Sequence, residues 1–303
     1  MDIINSNNPD KDIELNKATA CFLNNYVNIS ITGKDAQVFL QGQLSCDLNE
    51  ITNTGVGIGC YCNIKGRVLA YFDIFRINDG YLINLPNSIT EKLISALKKY
   101  AIFSKVKIEL ENNLSTIAIF GANKNIVEHI KNEVTDIHQL EQPKNAYKLI
   151  TTIKSLANLK VLFNNLGINN YGDDIWTYFL IKNHVPEISE QQSEQYLPAE
   201  LNLDKTKAIS FTKGCFMGQE VIARMKYIGT MKKSLKLLTI TRCDTATIKN
   251  KITALGKTVG EIVNLVRTSE NSYLALVLIN NEVVKNNIEL ELDGLVSAKI
   301  AIN

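Results

Sequence analysis

The sequence predicts an α+β protein that turns all-β towards its C-terminus. Three observations carry this reading. Between residues 18 and 232, strand-like alternation is interleaved with stretches of helical periodicity. Beyond residue 232, short apolar stretches follow one another with only polar turns between them, the pattern of a small antiparallel barrel or sandwich. The chain has 303 residues, 45% of them hydrophobic, enough for two or three packed modules.

The elements follow in order. Residues 1–17 read as a loose polar leader, with neither the apolar centre of a signal peptide nor the arginine bias of a transit peptide. Val27, Ile29 and Ile31 alternate in a half-buried strand, which Gly33 breaks. Ala36, Phe39 and Leu40 then share one helical face. Strands are predicted over 56–61 and 67–77. The second turns through Asn78-Asp79-Gly80, a hairpin signal, into a strand over 81–85. Ser88 and Glu91 have the spacing of a capping box for a helix ending at Tyr100, where Lys98 and Lys99 suit its negative end. Strands over 106–110 and 115–120 precede helices over 124–131, 156–166 and 173–183. The all-β part has predicted strands over 235–241, 258–264, 273–279, 288–292 and 296–302. The domain map is therefore a 1–17 leader, an 18–232 α+β region of two modules and a 233–303 β region.

The formal net charge is +2, which gives no reason to expect direct nucleic-acid binding. The apolar runs are strand-sized, far below the roughly 20 residues of a membrane helix. A cytoplasmic protein without membrane contact is expected. The six cysteines, Cys21, Cys46, Cys60, Cys62, Cys215 and Cys243, are then expected to be mostly free thiols. Cys60 and Cys62 share one strand face, but no second pair completes a zinc site, and the three histidines are scattered. No structural metal is read.

Chemistry concentrates in Lys213-Gly214-Cys215-Phe216-Met217-Gly218-Gln219-Glu220. One cysteine stands between two glycines, two residues after a lysine and ahead of a predicted helix carrying Val221, Ile222 and Ala223. A nearby cation and a helix N-terminus both favour thiolate, whereas Glu220 opposes it. The glycines allow backbone shapes that a side chain would block. Cys215 is the first candidate for a functional residue and Lys213 the second. The competing reading is an inert cysteine buried in a strand-to-helix connection.

This stretch resembles the K-G-C-[YF]-x-G-Q-E signature of the YgfZ family, the folate-binding relatives of the glycine-cleavage aminomethyltransferase. The resemblance extends through Ile31-Thr32-Gly33-Lys34-Asp35, Phe39-Leu40-Gln41-Gly42-Gln43-Leu44 and Tyr61-Cys62-Asn63-Ile64-Lys65-Gly66-Arg67-Val68. It continues at Pro186, Tyr196-Leu197-Pro198, Leu201-Asn202-Leu203 and Gly256-Lys257-Thr258-Val259-Gly260. It implies an aminomethyltransferase-like folate-binding ring, in which two α+β modules and a C-terminal antiparallel β-barrel surround a central channel.

The resemblance also implies a site. Tetrahydrofolate, or another reduced folate, is the expected cofactor. The family's two aromatic positions fall on Tyr26, where tryptophan is common, and on Trp176, the only tryptophan of the chain. A flat ring gains from stacking on such faces. Gln41 and Gln43 are candidates to line the channel or to solvate a helix end. Lys65 and Arg67, in a glycine turn, are candidates to meet the folate glutamate tail. Aligned from Gly66, the transferase's catalytic aspartate falls on Ala70, and Asp73, three residues on, points to the opposite strand face. Folate binding without glycine-cleavage activity is therefore expected. The family role is accessory: support of the assembly or repair of iron–sulfur enzymes, and through radical enzymes of that kind the modification of some tRNAs, with Cys215 supplying a thiol. The alternative is a folate-dependent one-carbon transferase, moving an aminomethyl group or demethylating a donor.

Overall fold

The computed structural model describes residues 15–302 apart from 52–54, 135, 141, 230, 242–249, 287 and 293–298. The leader up to residue 14 and Cys243 therefore lie outside the described residues. β1 (Thr19–Leu23) is buried throughout and turns through Asn24 and Asn25 into β2 (Tyr26–Thr32). The Asp173 carboxylate fastens this turn, accepting from both backbone amides at 3.1 and 3.0 Å. Next come α1 (Ala36–Gln43), β3 (Val56–Cys62), β4 (Val68–Ile77), β5 (Gly80–Pro86), α2 (Thr90–Tyr100) and β6 (Lys107–Leu110). The strands form an antiparallel sheet in the order β3-β4-β5-β2-β6. One face of it packs Ile29, Ile31, Ala70, Phe72 and Ile74 against Leu40 of α1 and Leu93 and Leu97 of α2.

The chain then returns to the sheet that β1 began. β7 (Leu114–Phe120), α3 (Lys124–Glu133), β8 (Ile137–Gln139), β9 (Ala146–Thr152), α4 (Leu156–Asn165) and β10 (Asn169–Tyr171) give the order β10-β1-β7-β9-β8. The two α+β modules are thus interleaved along the chain rather than consecutive. β1 escapes sequence reading because Thr-Ala-Cys-Phe-Leu is buried on both faces and shows no alternation. The capping box expected at Ser88 does not form. A short helical turn over Asn87–Ile89 precedes α2, and its N-cap, Ile89, makes no side-chain cap bond.

α5 (Asp173–Lys182) and α6 (Gln219–Ile228) lead into the third sheet. Its elements are β11 (Lys233–Thr241), β12 (Lys251–Ala254), β13 (Lys257–Ser269), β14 (Ser272–Asn280), α7 (Asn281–Lys285), β15 (Glu291–Leu292) and β16 (Lys299–Ile302). The order is β15-β12-β13-β14-β11-β16, all antiparallel. The expected barrel needs correction: among the described residues this sheet does not close. β15 is only two residues long, and the two edge strands do not pair with each other.

The largest apolar cluster draws on all three sheets. It joins Cys21 and Phe120 of one, Tyr71 of the next, Trp176 and Phe179 of α5, and Leu235, Val263 and Leu276 of the third. Each such side chain, fully buried, contributes about 1.5–3 kcal/mol. Cys60 and Cys62 lie in the same cluster with their sulfurs 3.5 Å apart. Among the described residues no helix is long and apolar enough to cross a membrane, and no group of His, Cys, Asp and Glu is arranged to hold a metal.

Candidate functional site

The cavity that matters lies between the first two sheets and α5. β2 contributes Tyr26, β4 Tyr71 and Asp73, β5 Asn84, β9 Lys148 and α5 Trp176, with Glu187 from the segment after α5. Strand alternation decides who faces it. On β4, Ala70 and Phe72 join the core beneath α1 and α2, whereas Asp73 on the other face meets Lys148.

Lys148 is 2% exposed, in a strand that is otherwise apolar at its centre. Its ammonium stands 2.7 Å from Asp73 Oδ2 and donates to Asn84 Oδ1 at 2.7 Å. It also sits 4.5 Å from the centre of the Tyr26 ring and 5.7 Å from that of Trp176. A desolvated cation gains from both the carboxylate and the ring faces. Asn84 is oriented in turn by Thr116, to whose Oγ1 it donates at 2.8 Å.

Glu187 closes the other side. The Tyr26 hydroxyl donates to its Oε1, and Thr177 donates to its Oε2 at 3.2 Å. Burial pushes the Glu187 carboxyl up from its ordinary 4.5, with the Tyr26 hydrogen bond pulling the other way. Burial, and then the Glu187 charge, push the Tyr26 phenol well above its usual value. The backbone of Glu187 is paired reciprocally with the Asn264 side chain, 3.0 Å in each direction. Asn264 follows a register shift in β13, where Val263 has no partner on β14 and Asn264 pairs with Leu276. The space beside Asp73 and Lys148 is small, about 30 Å³. Across the Tyr26–Glu187 pair a cleft of about 310 Å³ opens, lined by Asn25, Asp173, Thr177, Gln192 and Asn264 among others.

The Cys215 loop is a separate region. Of the five described cysteines only Cys215 is exposed. Lys213 is buried beneath it, and its ammonium donates to the carbonyls of Gln41, Leu44 and Cys46 at 2.6, 2.8 and 2.7 Å. All three of its protons are thereby directed to backbone at and just beyond the C-terminal end of α1, where carbonyls lack helical partners. Burial lowers the Lys213 pKa, and Cys46 and Asp47 oppose that. α6 starts at Gln219, with Gly218 as its N-cap at φ +77. A Cβ on Gly218 would lie 2.4 Å from the Asn63 carbonyl oxygen and 2.9 Å from the Gly66 Cα, so the helix start is pressed onto the β3–β4 turn.

The structure brings Tyr26 and Trp176 together: Trp176 Nε1 donates to the Tyr26 hydroxyl at 3.3 Å. Trp176 is 1% exposed and packs on Phe179, so Tyr26 is the more accessible of the two rings. The other candidates lie elsewhere. Gln41 bridges Asp47 Oδ1 and the Leu48 amide. Gln43 buries an Oε1 that has no hydrogen-bond partner among the described residues. Lys65 and Arg67 line a shallow depression with Asn63 and Glu194, and Arg67 donates to the Gln195 carbonyl. Lys148, Glu187, Asn84 and Asn264 were not singled out in the sequence. One signal was available: a lysine in the middle of the apolar run 146–151 needs a buried partner.

No family model matches the chain. Relatives described as tRNA-modifying protein YgfZ do. The one from Buchnera aphidicola subsp. Schizaphis graminum is 34% identical over 233 residues, covering 73% of this chain and 73% of the relative. That from Colwellia psychrerythraea is 30% identical over 228 residues, covering 70% and 69%. That from Vibrio atlanticus is 28% identical over 278 residues, covering 87% and 84%. Among solved structures, the glycine cleavage system aminomethyltransferase T from Bartonella henselae superposes with a TM-score of 0.74 at 13% identity, over 95% of this chain and 86% of that one. This likeness is one of fold.

Proposed function

The chain belongs to the YgfZ family, and from that premise we propose that it is a tetrahydrofolate-binding accessory protein. It supports the assembly or repair of iron–sulfur enzymes, and through them the modification of some tRNAs. The observation that carries the folate reading is the cleft of about 310 Å³ across the Tyr26–Glu187 pair, lined also by Asp173, Gln192 and Asn264, with Trp176 behind Tyr26. Its donor set fits a reduced folate: aromatic walls for a flat ring, and carboxylates and amides for the hydrogen-bonding edge of a pterin. The space beside Asp73 is too small for such a ring, and the 310 Å³ cleft beyond Tyr26 is at the lower end of the roughly 300–1,000 Å³ of small-molecule sites. Tyr26, Glu187 and Asn264 would therefore hold the ligand, with Trp176 backing Tyr26. Bound there, the folate would supply one-carbon chemistry or a binding signal.

A second reading, a folate-dependent one-carbon transferase, gains support from Asp73. The expectation built on Ala70 assumed that the cavity lies on the Ala70 face of β4, whereas Asp73 is the residue in the cavity wall. Lys148 weighs against that reading. Its ammonium neutralises the carboxylate and stands between it and the aromatic rings. A carboxylate already paired in this way is a poor partner for a reacting amine. The thiol of the accessory role is Cys215, the exposed cysteine of the signature loop. Lys213 has a positioning role, tying that loop to the end of α1.

Two measurements test the proposal. Reduced folate should quench the single tryptophan of the purified protein, and Tyr26→Ala should weaken binding by about 1–3 kcal/mol, the scale of ring stacking. Absence of binding by the folded wild type would defeat the folate reading. In a strain deleted for its own family member, the wild-type chain should restore iron–sulfur-dependent tRNA thiolation and Cys215→Ala should not. Full rescue by Cys215→Ala removes the thiol from the mechanism. Turnover of a methylamine donor with tetrahydrofolate would favour the transferase instead.

A further inference from the structure

The strands β2, β4 and β5 carry the Tyr26 cavity at one end. At the other end, where β2 reaches Thr32 and β4 turns into β5, lies an open basin of about 840 Å³. Along β2 the separation is about 20 Å, at roughly 3.3 Å per residue. The basin is lined by four cations, Lys34, Arg76, Lys105 and Lys107, and by one carboxylate, Asp79. Lys107 is paired with Glu109 at 2.6 Å. Lys34, Arg76 and Lys105 are exposed and make no ion pair among the described residues. Ala36 and Gln37, the first residues of α1, are also in the lining, so the positive end of that helix faces the same space. The Asp35 carboxylate at its N-cap does not satisfy the helix amides. It accepts instead from the backbone of Lys105 at 2.7 Å.

A second observation is independent of charge. Tyr81 lines the basin and is 2% exposed, and its hydroxyl is buried without a hydrogen-bond partner among the described residues. A buried phenol donor costs free energy until something accepts from it. Arg76, directly across the ladder from Tyr81, is the nearest cation in register. A third observation bears on what accompanies the anion. Two residues before Lys105, Phe103 is 98% exposed, with Ile102 beside it at 75%. An exposed aromatic face beside uncommitted cations is the arrangement on which a base stacks while its phosphate is neutralised.

We infer that this basin is a nucleotide-phosphate site, in which Lys34, Arg76, Lys105, the α1 N-terminus and the Tyr81 hydroxyl take phosphate oxygens and Phe103 takes a base. The phosphate comes either from a free nucleotide or from an RNA strand. The small net charge of the whole chain does not argue against this, because the cations are concentrated at one end of one sheet. The site is separate from the proposed folate cavity and does not depend on it.

The test uses the full chain. Fluorescence anisotropy with a labelled tRNA and calorimetry with ADP are run side by side at low and moderate salt. At least one ligand should bind the wild type, with affinity falling as salt rises. The exposed double variant Arg76→Glu/Lys105→Glu should weaken that ligand by about tenfold or more and flatten its salt dependence, since each lost phosphate contact lowers the slope by about one. Tyr81→Phe, which keeps the ring packing, should weaken it less, and Phe103→Ser should weaken it while leaving its salt slope unchanged, since the lost contact is to a base and not to a phosphate. ADP without tRNA assigns a free nucleotide, and tRNA without ADP assigns a strand; each outcome supports the site. Binding of neither ligand by the wild type, or unchanged binding by the double variant, overturns it. Folate binding by the double variant should equal that of the wild type, so failure here is distinguishable from failure of the folate reading.

Discussion

Two lysines are buried among the described residues, and they are satisfied in opposite ways. Lys148 meets a carboxylate, an amide oxygen and two aromatic faces in the Tyr26 cavity. Lys213 meets three backbone carbonyls beneath the Cys215 loop, with the Phe216 ring 5.4 Å away. The first lysine cancels a charge, so the cavity holds a neutral pair that sets what chemistry Asp73 is free to do. The second remains a cation and organises backbone, so its effect is on where a loop sits. Proximity to a cysteine in sequence does not assign a lysine its role. The number and kind of acceptors around the ammonium do.

Removing each lysine by a shape-preserving change separates the two roles. Lys148→Met leaves the Asp73 carboxylate without its partner and should cost about 3–5 kcal/mol in urea unfolding. Adding Asp73→Leu should recover most of that loss, because the cost is that of an unpaired charge. A double variant as unstable as the single would show that packing, not pairing, holds the cavity.

Lys213→Met strips the donors from three carbonyls. With each unsatisfied buried acceptor costing about 1–3 kcal/mol, and water reaching some of them, a loss of about 2 kcal/mol or more is expected. Hydrogen exchange should quicken over 210–218 while β9 keeps its protection. Equal loosening of both segments would mean that the two regions are not separate.

The Tyr26–Glu187 pair gives a smaller, pH-dependent effect. The Glu187 carboxyl is raised above its ordinary 4.5, chiefly by burial. Its contribution is therefore fully present below the unfolded value and is lost as pH rises through the folded one. Relative to Glu187→Gln, the wild type should lose thermal stability on going from pH 4.5 towards neutral. A difference in Tm that stays flat, or changes in the other direction, would show that Glu187 is not a buried acid. The smallest effect belongs to Cys215→Ala. An exposed thiol with few contacts should change unfolding free energy by no more than about 0.5 kcal/mol. A larger loss would make the loop cysteine structural.

Some of this was legible in the residues. The alternation of Val27, Ile29 and Ile31 and the Asn78-Asp79-Gly80 hairpin were readable because one face of that sheet is buried and its turn chemistry is local. β1 and β9 were not, because strands buried on both faces lose their period. The signature around Cys215 identified the family, and the family carried the fold.

Local pattern and kinship were written in the residues: strands with one wet face, helices with one apolar stripe, and a loop whose glycines permit backbone shapes that a side chain would block. Only tertiary structure decided the partners. Strand parity says that Ala70 and Asp73 face opposite ways, but not which side holds the cavity. That depends on where β9 and α5 pack against β4. Likewise, Lys213 has an ordinary lysine's range of options until α1 ends beneath it and offers three unpaired carbonyls. A buried charge takes its role from the groups that replace water around it, and those groups come from distant parts of the chain.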